Sequence, residues 1–231
     1  MTGERKFGGF TKETFGFLKE LELNNTREWF EEHRSVFDDH VLGPAQDFVV
    51  EMGDRLKTIS PRISAIPRID KSIFRLYRDT RFSKDKTPYK THIGILFWEG
   101  PGKKLENSGY YLQLNKSSIF LGAGMYCFPQ QKLRPFRDSV VDGRKGKELG
   151  KIIKAIAANP SYRIGGQHYK RVPAGYDPGH PKADLLLHNG LYAYYESSLP
   201  GEIYSSRFVD YCFGIFRDMS PLHKWLRDLI K

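Results

Sequence analysis

The chain has 231 residues, 39% hydrophobic and 14% aromatic, enough apolar material for a folded, soluble globular protein with one sizeable core. Its 37 basic and 27 acidic side chains leave a net charge of +10, while two cysteines without metal-type spacing exclude a disulfide framework or a zinc site. No run of about 18 apolar residues occurs and the N-terminus has no apolar leader, so the expected location is cytoplasmic, away from any membrane.

Thr11 is placed to cap a first helix with Phe15, Leu18 and Leu21 on one stripe. Asn25, with Glu28 three residues later, fits a capping box for a second helix. Its apolar face is Trp29, Phe30, His33, Val36, Phe37 and His40, with both histidines at the edge of the core. Gly43-Pro44 then opens a third helix that buries Phe48, Val49, Met52, Leu56 and Ile59. Pro61 and Pro67 forbid a continuous helix beyond Ser60, and a connector leads to the most distinctive stretch of the chain. Strand-like runs follow at Ile93 to Trp98, Tyr110 to Leu114 and Ile119 to Leu121, with turn residues between them, as in an antiparallel meander. Helical spacing returns with Leu133, Phe136, Arg137 and Val140, and again with Leu149, Ile152, Ile153 and Ile156. A Gly- and Pro-rich run with a small helix near Asp184 to Leu187 precedes a strand, Leu191 to Glu196. Phe208, Cys212, Ile215, Phe216 and Met219 make another helix, and Ser220-Pro221 signals a separate last one. Cys127 and Cys212 both read as reduced, buried thiols. Helices, then a meander, then helices define an α+β fold, expected as a single domain over residues 1–231.

The distinctive stretch is RLYRDTRFSKDKTPYKTH, Arg75 to His92, with six basic side chains and two aspartates. It lies in the most asymmetric part of the charge map. Residues 1–61 carry 8 basic and 12 acidic side chains, residues 62–92 carry 9 and 3, and residues 132–171 carry 11 and 3. Such asymmetry calls for an anionic partner, unless the acidic N-terminal helices pack beside the basic middle. Arg75, Arg78 and Arg81 recur every three residues, which suits one face of a helical turn, and Thr87-Pro88 then forces the chain extended. Guanidinium forks and the Lys84, Lys86 and Lys90 ammonium groups are the inventory of a phosphate or carboxylate site. Asp79 and Asp85, flanked by cations, fit the role of orienting arginines better than that of acid or base. Ser83, Thr87, Tyr89 and Thr91 either donate to a bound anion or satisfy the turn backbone. Tyr89 and Phe82 either stack on a base or pack under the strand, and Phe82 is expected in the core.

With FLKELELNNTREWF, GYYLQL, GAGMY and RVPAGYDPGHP in order around it, this stretch resembles the hallmark of a conserved-hypothetical family, domain of unknown function 2461, over nearly the whole chain. The chain departs from that pattern at Asn115-Lys116-Ser117-Ser118, where a different turn type is expected. The resemblance implies no established reaction and no catalytic residue.

Other motifs are weaker. Gly100-Pro-Gly-Lys-Lys lacks the spacing of a phosphate loop, Gly122-Ala-Gly124 lacks a third glycine, and His168, His180 and His188 have no metal spacing, so neither cofactor nor metal is expected. The ligand-binding candidates are Arg75, Arg78, Asp79, Arg81, Ser83, Lys84, Asp85, Lys86, Tyr89 and Lys90. The expected function is binding of a small phosphorylated or carboxylated ligand, by an enzyme or a sensor. The alternatives are a nucleic-acid-binding module that uses the wider basic surface, and a structural or partner-binding protein whose arginines pair internally.

Overall fold

The computed structural model describes residues 6–229. Helices open it: α1 (Lys12–Leu23), α2 (Arg27–Glu32), α3 (Arg34–Phe37), a π-helical turn (Asp38–Leu42) and α4 (Gly43–Lys57). Strands β1 (His92–Glu99), β2 (Ser108–Asn115) and β3 (Ser118–Met125) follow. Then come α5 (Gln130–Val141), α6 (Lys145–Ala157), β4 (Tyr162–Gln167), α7 (Ala183–Leu186), β5 (His188–Ser198) and α8 (Arg207–Leu229). The strands form an antiparallel five-stranded sheet in the order β1-β2-β3-β5-β4, so the α+β architecture and the central meander are as expected.

Helix α1 starts after Thr11, whose N–H donates to the Thr14 hydroxyl at 3.0 Å. The next cap differs from expectation. Thr26, not Asn25, precedes α2, and its hydroxyl accepts the Trp29 N–H at 3.2 Å, which frees Asn25 for a contact described below. Gly43-Pro44 begins α4 as expected, with the proline in its first turn, although Leu42 before it is already helical (φ −72°, ψ −47°). Pro44 has no N–H for the His40 carbonyl and its ring crowds that carbonyl, so the helix widens into the π turn instead of breaking. The buried Thr14 hydroxyl donates to the freed His40 carbonyl at 2.5 Å and ties α1 to the widened turn.

The β2–β3 turn is set by Asn115, whose Oδ1 accepts the N–H groups of Ser117 (2.9 Å) and Ser118 (2.7 Å). Along β3, Gly124 has φ +136° and a side chain there would strike the Leu191 carbonyl of β5, so close strand approach accounts for the glycine at that position. The chain then bends, and this leaves Cys127 exposed while Phe128 turns inward, so only Cys212 is the buried thiol the sequence predicts. A second correction concerns Ser220-Pro221, which lies inside one continuous helix. Phe208, Cys212, Phe216, Met219, Leu222 and Leu226 keep a single fully buried stripe across it. Burial of that stripe outweighs the roughly 3 kcal/mol cost of an interior proline.

Two compact units divide the chain. The first takes the N-terminal part through Phe97 with Tyr111–Phe120 and Ser197–Gly214; the second takes Trp98–Tyr110, Leu121–Glu196 and the C-terminal part from Ile215. The first is centred on an aromatic cluster in which the Phe48 ring lies 5.3 Å from Phe7, 5.6 Å from Phe208 and 6.4 Å from Phe97. In the second, Phe136 stacks on Phe128 at 4.4 Å and Tyr110 packs on Phe216 at 5.3 Å.

Candidate functional site

Residues 72–74 run beside β1, with the Phe74 N–H donating to the Gly94 carbonyl and the Leu96 N–H to the Ser72 carbonyl. From there the chain makes an irregular antiparallel pair. Tyr77 bridges to Tyr89, the Arg78 N–H reaches the Pro88 carbonyl at 2.8 Å, and the Lys90 N–H reaches the Leu76 carbonyl at 2.8 Å. The helical turn suggested by the arginine spacing is absent. Both aspartates instead fold the loop by accepting an N–H two residues on, Asp79 from Arg81 (3.2 Å) and Asp85 from Thr87 (3.0 Å). Those turns leave each carboxylate facing a guanidinium. Asp79 takes the Arg81 Nε and Nη2 side by side (2.9 and 2.7 Å), while Asp85 and the Thr87 hydroxyl hold Arg78. The Arg81 fork lowers the Asp79 pKa to about 2, and the Thr87 N–H, helped by Arg78, does the same for Asp85. Lys86 donates to the Thr80 carbonyl at 2.9 Å, and the Ser83 N–H to the same carbonyl at 3.2 Å. Phe82 stands at the tip, 95% exposed with the Arg81 guanidinium over its ring, so its expected place in the core is corrected: the turns point it outward.

At the base of this loop lies a cleft of about 520 Å³. One wall comes from α2 and α3 (Arg27, Phe30, Glu31, Arg34, Phe37), the other from the connector and motif (Ile69, Arg75, Leu76, Tyr77, Tyr89). Asn25 joins the two. Its side-chain amide donates to the Tyr89 carbonyl at 2.9 Å and its Oδ1 accepts the Tyr89 N–H at 3.0 Å, as a neighbouring strand would. The Tyr89 ring is thereby laid flat on Phe30, 4.3 Å away, with Tyr77 edge-on to it at 5.8 Å. Burial raises the Tyr89 pKa, so its hydroxyl stays protonated.

Three guanidiniums rim this aromatic floor. Arg34 is paired with Asp38 at 3.2 Å, and Arg27 donates to the Tyr77 hydroxyl at 2.6 Å. The Arg75 guanidinium makes no hydrogen bond or ion pair among the described residues, though its charge acts on Asp79, which Arg81 holds. The backbone carbonyl of Arg75 does accept from Lys90 at 3.2 Å, and burial, with Arg75 beside it, lowers the Lys90 pKa. Of the candidates named from sequence, Arg75 and Tyr89 line the cleft. Arg78, Asp79, Arg81, Ser83, Lys84, Asp85 and Lys86 lie in the loop above it, and Lys90 lies against Phe74. Arg27, Arg34, Phe30 and Tyr77 were not singled out. Arg27, Glu31 and Arg34 recur at helical spacing, which is the signal that they share a face.

A second polar cluster has the residue types of a hydrolase. The Ser108 hydroxyl is 3.0 Å from His223 Nδ1, and His223 Nε2 is 3.4 Å from the Glu99 carboxylate, which also takes Arg227. The His223 and Glu99 side chains are only 0% and 3% exposed, so no substrate reaches them and the cluster is a buried structural network. Burial lowers the His223 pKa, and its hydrogen bond, with Arg227 beside it, holds Glu99 ionised with a pKa of about 2. The neutral imidazole then donates through Nε2 and accepts from Ser108 at Nδ1. The histidines of the Gly- and Pro-rich run are used locally. His180 Nδ1 accepts the Lys182 N–H, and His188 Nδ1 bonds the Asp184 carbonyl.

An α+β fold that presents a cationic cleft with an aromatic floor is thus the class of protein defined here. The chain belongs to the family described as conserved hypothetical protein (DUF2461), which matches residues 13–225. No curated protein matches it. Among the described residues no helix is long and apolar enough to cross a membrane.

Proposed function

We propose that the protein binds a small phosphorylated or carboxylated ligand in the cleft between α2 and the Arg75 to Tyr89 segment. The observation that carries this reading is Arg75, which lines the same concave site as Arg27 and whose guanidinium makes no hydrogen bond or ion pair among the described residues, the nearby Asp79 being taken by Arg81. An arginine without a carboxylate partner beside a flat aromatic surface suits an anion attached to an apolar or planar body. Loop residues Arg78 and Arg81 contribute indirectly: locked by Asp85 and Asp79, they shape the entrance.

A panel of nucleoside monophosphates, sugar phosphates and dicarboxylates, screened by calorimetry, tests the proposal. Arg75→Gln and Arg27→Gln should each weaken the best ligand by roughly tenfold or more, the loss of a charge-assisted hydrogen bond. Unchanged affinity in the double variant would refute it. A nucleic-acid-binding module is the second reading, favoured by Phe82, which stands exposed beside Arg81 at the loop tip. It predicts single-strand binding that is lost on Phe82→Ala and weakens steeply with salt.

A further inference from the structure

The second unit carries a cation that its own residues do not satisfy. Arg137 leaves α5 and lies against Tyr169, with its guanidinium carbon 4.9 Å from the ring centre. Its Nε and Nη2 are buried and have no hydrogen-bond partner among the described residues. Those two nitrogens share one edge of the guanidinium, the same edge through which Arg81 takes both oxygens of Asp79. One side of a two-pronged carboxylate or phosphate contact is therefore built, without its anion. Desolvating a guanidinium edge with no acceptor costs several kcal/mol, and buried charges are ordinarily paired.

The carboxylate next to Arg137 in sequence, Asp138, accepts the Tyr176 hydroxyl at 2.7 Å and makes no ion pair with Arg137 among the described residues. The surroundings are cationic as well, since residues 132–171 hold 11 basic and 3 acidic side chains. Arg134 lies one turn before Arg137, and both act electrostatically on the Tyr176 hydroxyl. Two cations converging on one side of a helix match a phosphate dianion better than a single carboxylate.

We infer that Arg137, with Arg134 beside it and Tyr169 over its face, is a phosphate-binding site that takes inorganic phosphate or a phosphate monoester on the Nε/Nη2 edge. It is assembled from residues of the second unit and does not depend on the cleft reading.

The test is a titration of the full-length protein with inorganic phosphate, followed through the arginine Nε–H resonances. The Arg137 resonance is identified by its disappearance in Arg137→Lys, a variant that keeps the charge and loses the fork. Phosphate should shift that resonance, whereas acetate at equal concentration should shift it far less. Phosphate affinity should fall roughly tenfold or more in Arg137→Lys and several-fold in Arg134→Gln. The response should persist in the Arg27→Gln/Arg75→Gln double variant, which removes the cleft cations. Should Arg137→Lys fail to fold, phosphate affinity measured by calorimetry on wild type and Arg134→Gln decides, and equal affinity overturns the inference. An Arg137 resonance indifferent to millimolar phosphate, or equal response to acetate and phosphate, would overturn the inference and leave an arginine satisfied by water or a general anion contact.

Discussion

Replacing Asn25 by alanine tests whether the cleft is assembled as described. The substitution removes two hydrogen bonds, of 2.9 and 3.0 Å, from the backbone of Tyr89, a residue only 7% exposed. Each bond contributes about 1 kcal/mol net, and a backbone group left unpaired adds a further cost that water entering beside half-buried Asn25 partly offsets. The expected loss is about 2 kcal/mol, a fall of roughly 1 M in the urea midpoint for a chain of this size. Trp29, on α2 beside Phe17, reports the transition by fluorescence. Asn25→Asp sharpens the test. Its carboxylate still accepts the Tyr89 N–H but faces the Tyr89 carbonyl, so the folded state should raise its pKa above the unfolded value of about 3.9. The variant should therefore gain stability relative to wild type as the pH falls below about 5, when the protonated acid can donate again. An alanine variant within about 0.3 kcal/mol of wild type, or an Asp variant whose deficit does not change with pH, would show that Asn25 does not hold the two walls together.

Thr14→Val should cost about 1–3 kcal/mol, read by chemical denaturation, because the His40 carbonyl freed by Pro44 loses its donor. Wild-type stability should fall with acid in two stages, as urea midpoints against pH will show. His223 is held neutral, so stability is lost below about 6.5, and Glu99 is held ionised, so a further loss runs from 4.5 down to about 2; a Glu99→Gln/His223→Gln variant should show a flatter profile. Asp79 and Asp85 should titrate with midpoints near 2, below the ordinary 3.8, in carboxyl-carbon NMR, and Arg81→Gln should return Asp79 toward the ordinary value.

Much of this fold is legible because its signals are local. The stripes of α1 and α4, the turn residues between strands and the alternation in β2 are each read within a dozen residues, and each element is where its pattern places it. The errors arise where a local signal meets a distant or competing demand. Asn25 reads as a cap, yet its partner is 64 residues away, and the adjacent Thr26 is free to cap. Pro221 reads as a start, yet the buried stripe runs through it. In the motif, helical spacing of arginines competes with aspartates that fold turns by bonding two residues ahead, and the aspartates prevail. Arg75 and Tyr89 of the candidate set reach the cleft, while Arg27 and Arg34 come from α2 and α3, whose polar face shows in the sequence only as charge.

The loop from Arg78 to Pro88 satisfies itself: its ion pairs are internal and its ends are clamped across Tyr77 and Tyr89. Chain length between those clamps is consequently a free parameter. A shorter or longer segment with its own paired charges can be exchanged for it without disturbing the aromatic floor, much as one antibody loop replaces another on a fixed framework. The shape of the cleft mouth can then be altered by grafting while the residues beneath stay as they are.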